Sequence, residues 1–322
     1  MSKVLLIGEP MELLLAEDEG KLSEVKRFSA HVTGAELTVA VGITRLGLEA
    51  RYMTRLGNDP RAERIRTFMK ENSISDELLI TDELHQTGCM MKNKAAPGEH
   101  EIHYYRQKTA ASFLCEKDMD ELDLSDIHAI YFTGTFPAIS DTAAAAAKRL
   151  IKRAQKDHIT TVFDPNLRGI LWTTDGDTLA LLNEIASMVD IFVPNLNEAE
   201  KLCGLNDPEA IADFYISKGT YKVVITLGKN GAFFKSAKES GTVPTFAADE
   251  VVNTLGVGDA FAVGLVSGIC DDLPLGEAVI RANAVGSMQI QNTNHTDGLP
   301  TLDQLREYML DHRFVAAHLT DA

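Results

Sequence analysis

Four short apolar runs recur between residues 129 and 228, each ending in polar residues or glycine: AIYFTG (129–134), TTVFDPN (160–166), DIFVPN (190–195) and YKVVITLG (221–228). Helical stretches follow most of them. The clearest is DTAAAAAKRLIKRAQKD (141–157), whose alanines favour helix. Apolar strands without alternation are buried on both faces, and strand–helix alternation joins parallel strands by crossovers. The chain is therefore predicted to be α/β, with a mainly parallel sheet covered by helices. KVLLIGEPM (3–11) extends the pattern as a buried strand. A helix over 34–46, a strand over 51–57 and a helix over 60–72, starting near Asp59, follow from apolar spacing and from Pro60.

Two segments break the pattern. Residues 12–32 are charged and read as short, partly exposed strands. HQTGCMMKNK and HEIHYYRQK, on either side of the polar turn Ala96–Pro97–Gly98–Glu99, read as a β-hairpin. A small β lid over about 12–33 and 84–112, within one domain spanning 1–322, accommodates both. A chain of 322 residues is long enough to bury roughly 75% of its unfolded surface.

The net charge of −16 argues against nucleic acid as a partner, because that binding relies on a basic footprint. An anionic substrate must then be held by a few local cations. Ala260–Cys270 is the longest charge-free apolar stretch and is too short to span a bilayer. Cys89, Cys115, Cys203 and Cys270 show no CxxC spacing, so free thiols and a cytoplasmic location are expected. His100 and His103 sit at i and i+3 of a strand, on opposite faces, so HEIH is not a metal pair.

NTLGVGDAFAVGLVSG (253–268) carries the most chemistry. An uncharged helix begins with two glycines and a carboxylate. A helix start leaves unpaired N–H groups that favour an anion, phosphate above all. No GK[ST] follows, so it is not a P-loop. The backbone of Gly256, Val257 and Gly258 is positioned to hold phosphate oxygens, and Asp259 to deprotonate an acceptor hydroxyl. Asn195 and Glu198, in NLNE, are candidates to hold a hydrated Mg2+ through its waters. The alternative reading makes Asp259 an ordinary first-turn acid on a capped helix.

Taken together these motifs resemble those of the ribokinase-like sugar kinases, the phosphofructokinase B family. NTLGVGDAFAVG looks like the signature around that family's catalytic base. TGAELTVAVGITRLG (33–47), GND (57–59), DPNLR (164–168), NLNE (195–198) and TLGKNG (226–231) fall in the expected order. The resemblance covers nearly the whole chain and implies a ribokinase-like three-layer α/β/α fold. It also implies ATP and Mg2+ as cofactors, with a monovalent cation as a further option, and a homodimer formed through the lid. Within the family the chain is most similar to 2-keto-3-deoxygluconate kinases, through Gly8–Glu9, the GAE at 34–36, and YYR (104–106) with DPNLR.

Carried over, that similarity assigns Tyr104, Arg106 and Arg168 to a sugar-acid substrate, beside Gly34, Thr38, Asn166 and Asp259. A carboxylate substrate suits a planar guanidinium. It also assigns Asn195, Thr226, Gly228, Gly231 and Asn283, with Gly256 and Gly258, to the nucleotide. Three positions depart from the family pattern. Thr38 stands where Asn is usual, Val257 replaces a small residue in the anion turn, and Pro60–Arg61–Ala62 replaces Pro-Phe-Gly. A stiff β-branched Val257 is expected to crowd the phosphate and slow the reaction. The implied activity is phosphorylation of 2-keto-3-deoxygluconate. A kinase for fructose, ribose or a related ketose, and a non-catalytic sugar or nucleotide sensor, are the alternatives.

Overall fold

The computed structural model describes residues 2–94, 101–167, 176–248 and 251–312. Its strands are β1 (Lys3–Ile7), β2 (Met11–Glu19), β3 (Phe28–Thr33), β4 (Glu49–Gly57), β5 (Leu79–Asp82), β6 (Cys89–Lys94) and β7 (Ile102–Tyr105). They continue with β8 (Ile127–Thr133), β9 (Thr160–Asp164), β10 (Ile191–Phe192), β11 (Lys222–Thr226), β12 (Ala232–Ser236) and β13 (Ser240–Val243). Nine form one sheet in the order β13-β12-β11-β10-β9-β8-β1-β4-β5. All neighbours in it are parallel except the pairs made by β12 and β13. β3-β2-β6-β7 form the second, smaller sheet.

The large sheet is buried on both faces, as its apolar strands require. Helices Ala35–Arg45, Val257–Cys270 and Leu275–Gln289 pack one face, around Leu6, Tyr52 and Tyr131. Helices Asp141–Asp157 and Pro208–Lys218 pack the other, around Leu5, Phe132 and Phe163. Local chemistry fixes the helix ends. Asp59 accepts from Ala62 N–H at 2.9 Å ahead of Pro60, and Ser140 accepts from Ala143 N–H at 3.0 Å ahead of the alanine stripe. Successive connections leave β1 in opposite directions, toward β4 and toward β8. The carboxyl ends around this switch point are where an open α/β sheet binds ligands.

Three expectations change. The small sheet is shorter than 84–112: residues 84–87 belong to the main body. Asp82 Oδ1 holds the N–H groups of Leu84 and His85, and Asp59 Oδ2 holds that of Thr87. After Tyr105 the chain leaves the hairpin and forms a 3-10 turn over Ala110–Phe113. The strand in 190–195 is only two residues long, since Pro194 has no N–H to donate. No helix among the described residues is long and apolar enough to cross a membrane, and the four cysteines are free thiols.

Candidate active site

A cleft of about 1020 Å³ opens between the small sheet and the carboxyl ends of the large one. It brings together Gly34, Thr38, Tyr104, Arg106 and Asn166 from three separate stretches of sequence. Thr38 is buried in helix 35–45, where its N–H bonds Gly34 O at 2.9 Å. Asn166, also buried, takes a left-handed φ of 39°, and its N–H reaches Asp164 Oδ1 at 2.8 Å. Arg168 lies outside the described residues. Met90, Leu13 and Ile102 turn the apolar side of the small sheet toward this space.

Arg106 is the buried cation of the cleft, only 8% exposed, and it is already paired. Its Nε donates to Glu9 Oε2 at 2.7 Å and its Nη2 lies 2.5 Å from the same oxygen. Thr109 Oγ1 donates to Glu9 Oε1 at 2.5 Å. The guanidinium also stands 5.8 Å from the Tyr104 ring centroid, within cation–π range. Glu9 occupies one edge of a group with five donors, and Arg106 lines the cleft.

The glycine turn before helix 257–270 borders the same space: Asn253 and Leu255 line the cleft just before it. Gly256, with φ of 73°, begins helix 257–270 without any side-chain cap. The first intrahelical bond is Ala260 N–H to Gly256 O at 2.8 Å, so the N–H groups of Gly258 and Asp259 precede the helical ladder. Asp259 is buried in that first turn. Two residues that sequence reasoning passed over hold the turn. Gln289, fully buried, donates to Leu255 O at 3.4 Å and Asn294 O at 2.6 Å, and its Oε1 accepts from Gly298 N–H at 3.1 Å. His295 sits beside Gly256, its Nδ1 3.5 Å from where a Cβ there would be. Neither has a short-range sequence signal.

One Val257 methyl packs on the neighbouring helix. Its Cγ1 lies 3.7 Å from where a Cβ on Gly286 would stand, so this methyl is aimed at helix 275–289. Val257→Ala is therefore expected to leave kcat nearly unchanged and to lower stability by about 1 kcal/mol through lost packing. Steady-state rates and urea melts check this, and a clear rise in kcat would restore the crowding reading.

Of the residues carried over for the nucleotide, Asn195, Thr226, Gly228 and Gly231 follow β10 and β11, Asn283 lies in helix 275–289, and none of these lines the cleft. Thr226 N–H bonds Pro194 O at 3.0 Å, and Leu227 N–H bonds Gly231 O at 2.7 Å across a tight turn that includes Gly228. Gly231 has φ of 86°, and any Cβ there would fall 1.9 Å from Val243 O. Asn283 is buried and donates from Nδ2 to Val243 O at 3.0 Å and Pro244 O at 3.2 Å. It fixes the chain leaving β13.

Asn195 and Glu198 form a capping box: Asn195 Oδ1 accepts from Glu198 N–H and Glu198 Oε2 from Asn195 N–H, both at 2.9 Å. Glu198 Oε1 also accepts from Leu167 N–H at 2.8 Å and so holds the DPN loop. Among the described residues no three His, Cys, Asp or Glu side chains converge as a metal cage.

The geometry agrees with what the chain resembles. A family model described as pfkB family carbohydrate kinase matches residues 1–302. The chain is 36% identical, over 96% of its length and 95% of the relative's, to 2-dehydro-3-deoxygluconokinase of Bacillus subtilis (strain 168). A crystal structure of a PfkB protein from Polaromonas sp. JS666 is 34% identical, with TM-score 0.86, covering 95% of this chain and 99% of that one. A solved E. coli structure that contains ATP and Mg2+ has the same TM-score at 21% identity, over 97% and 100% of the two chains. That last likeness is one of fold.

Proposed function

The chain belongs to the pfkB family of carbohydrate kinases, and we propose that it transfers the γ-phosphoryl group of ATP to a primary hydroxyl of 2-keto-3-deoxygluconate. The observation that carries this reading is the uncapped helix start with Asp259 in its first turn, bordering a cleft whose buried cation is Arg106. The uncapped N–H groups suit a phosphoryl group, and the guanidinium suits a carboxylate. The 36% identity to a 2-dehydro-3-deoxygluconokinase supports the same sugar acid.

In this mechanism the hydroxyl oxygen attacks the γ-phosphorus in line, and its proton passes to the Asp259 carboxylate. The bond from the γ-phosphorus to the β,γ-bridging oxygen breaks, and ADP leaves with that electron pair. The N–H groups at the start of helix 257–270 hold the equatorial oxygens as charge spreads over them. Arg106 and Tyr104 orient the acid end of the substrate, with Arg168 as a second cation, and Gly34, Thr38 and Asn166 line the sugar seat. Thr226, Gly228, Gly231 and Asn283 shape the nucleotide side. Mg2+ would enter with ATP and neutralise its phosphates. Glu198 would be the acceptor for a water on that ion, beside the backbone N–H groups it already holds. A cytoplasmic homodimer joined through the small sheet completes the proposal.

ADP release over a panel of keto-acids, ketoses and aldoses tests the substrate. Turnover of 2-keto-3-deoxygluconate well above that of neutral ketoses is expected. No turnover on it at millimolar concentration, with another sugar used readily, would sink the assignment. Thr38→Asn refines the test. A water that bridges Thr38 to a sugar hydroxyl would be displaced by the longer amide. The variant is then expected to keep or improve kcat/KM for the keto-deoxy acid, whereas a loss would mean that Thr38 shapes a pocket for a different sugar.

A further inference from the structure

Among the described residues, three Lys or Arg side chains line the cleft: Arg64, Lys92 and Arg106. Two of them are already neutralised. Arg106 is held by Glu9, and Arg64 Nε donates to Glu12 Oε1 at 3.0 Å. Lys92 is different. Among the described residues no carboxylate stands within ion-pair distance of its ammonium, and no hydrogen bond engages it.

The strand register places this unpaired charge. Lys92 stands opposite Leu15 of β2 and Ile102 of β7, and Met90 stands opposite Leu13 and Tyr104. Side chains two residues apart share a face of a strand, so Lys92 lies on the face that carries Leu13, Met90 and Tyr104. That face is apolar and turned to the cleft. Two residues of strand, about 7 Å, separate the backbone of Lys92 from that of Met90. Lys92 is half-buried, and burial alone pushes its ammonium below the usual value.

A lysine in such surroundings costs stability, because this side chain is rarely buried without a partner. An inward charge can guard an edge strand against unwanted pairing. That reason fails for β6, which lies between β2 and β7 inside the sheet. A lysine stem can also cover apolar surface while its head reaches water. Over Leu15 and Ile102 the stem does this, and it delivers the charge to the cleft.

We propose that Lys92 is a specificity-determining residue: a second cation for the substrate carboxylate, mounted on the small sheet, that selects sugar acids over neutral sugars. This rests on a sugar acid being the substrate. Arg106 offers a fixed fork whose charge Glu9 offsets, whereas Lys92 brings an uncompensated charge on a flexible stem. An incoming carboxylate is the counter-ion that the described part of the chain does not supply. A neutral sugar would cover the ammonium and leave it unpaired, and that penalty discriminates against it.

The test measures the KM for 2-keto-3-deoxygluconate and the competitive Ki of 3-deoxyfructose, in which a hydroxymethyl group replaces the carboxylate. Parent, Lys92→Met and Lys92→Arg are compared. With Lys92→Met the KM for the acid is expected to rise about tenfold at nearly unchanged kcat, the pattern of lost binding, while the Ki of the neutral analogue stays within about twofold. Lys92→Arg keeps the charge and should recover most of the acid's KM. The urea midpoint of Lys92→Met should hold or rise, since an unpaired ammonium leaves an apolar face, and light scattering should give the oligomeric state of the parent. An unmoved KM, an equal change for both ligands, a lowered urea midpoint or a changed oligomeric state would each overturn the proposal; the last would assign Lys92 to a contact between copies. Failure of the underlying reading looks different: the parent itself would bind the acid no more tightly than 3-deoxyfructose.

Discussion

Asp259→Asn is expected to lower kcat by about 10² to 10⁴ while leaving the KM for ATP close to that of the parent, the usual contribution of a positioned base. The substitution keeps the size of the side chain and removes its basicity. Asp259 is 7% exposed in the first turn of a helix whose remaining residues are uncharged. A carboxylate there is stabilised by the helix dipole, by about 0.3–1 kcal/mol near a surface and up to about 2 when partly buried. That is the whole effect to expect if Asp259 only complements the helix start. The two readings therefore separate on different axes. A base loses turnover with modest change in melting, whereas a first-turn acid loses melting with turnover intact. Rates over the sugar panel, KM for ATP and a urea melt on the same preparation decide between them. A variant that keeps most of its turnover removes Asp259 from the chemistry.

Much of the fold was legible because its signals are local. The helix over 141–157 was readable from its alanines, and its boundaries agree with those expected. The helix after Asp59 begins where Pro60 and the capping carboxylate say it should. Features set by distant side chains were not legible. Residues 84–87 look like hairpin strand, yet Asp59, more than twenty residues earlier, ties Thr87 to the main body. The antiparallel edge β12–β13 was not read at all, since it has no helix between its strands. The site divides in the same way. The order of the motifs was visible, but the pairing of Glu9 with Arg106, across 97 residues, was not. NLNE was read as a magnesium contact although the same spacing is a capping signal. Its side chains make those capping bonds, and a water-mediated role must share them.

That unseen pair leads to the other large effect. Arg106→Met should cost about 3–5 kcal/mol of stability, because it strands Glu9, 3% exposed, without its counter-charge. Only the Thr109 hydroxyl would remain bonded to that carboxylate among the contacts described. On the sugar acid, kcat/KM should fall with it, by about 30-fold or more for about 2–5 kcal/mol of lost ion pairing. A single variant cannot separate these losses, since a loosened fold also loses activity. The double variant Glu9→Gln with Arg106→Met can. Removing both charges takes away the stranded ion, and replacing a buried pair by neutral groups is often close to neutral for folding. Its urea midpoint is expected to return most of the way to the parent value, while kcat/KM for the acid stays low and any slow turnover of a neutral ketose is kept. Recovery of acid turnover together with stability would mean that Arg106 serves the fold through Glu9 and touches no substrate carboxylate. The burial of Glu9 then becomes part of the specificity argument. A guanidinium placed alone in the cleft would attract any anion, whereas one held on one edge by Glu9 presents a fixed set of donors and a reduced net charge.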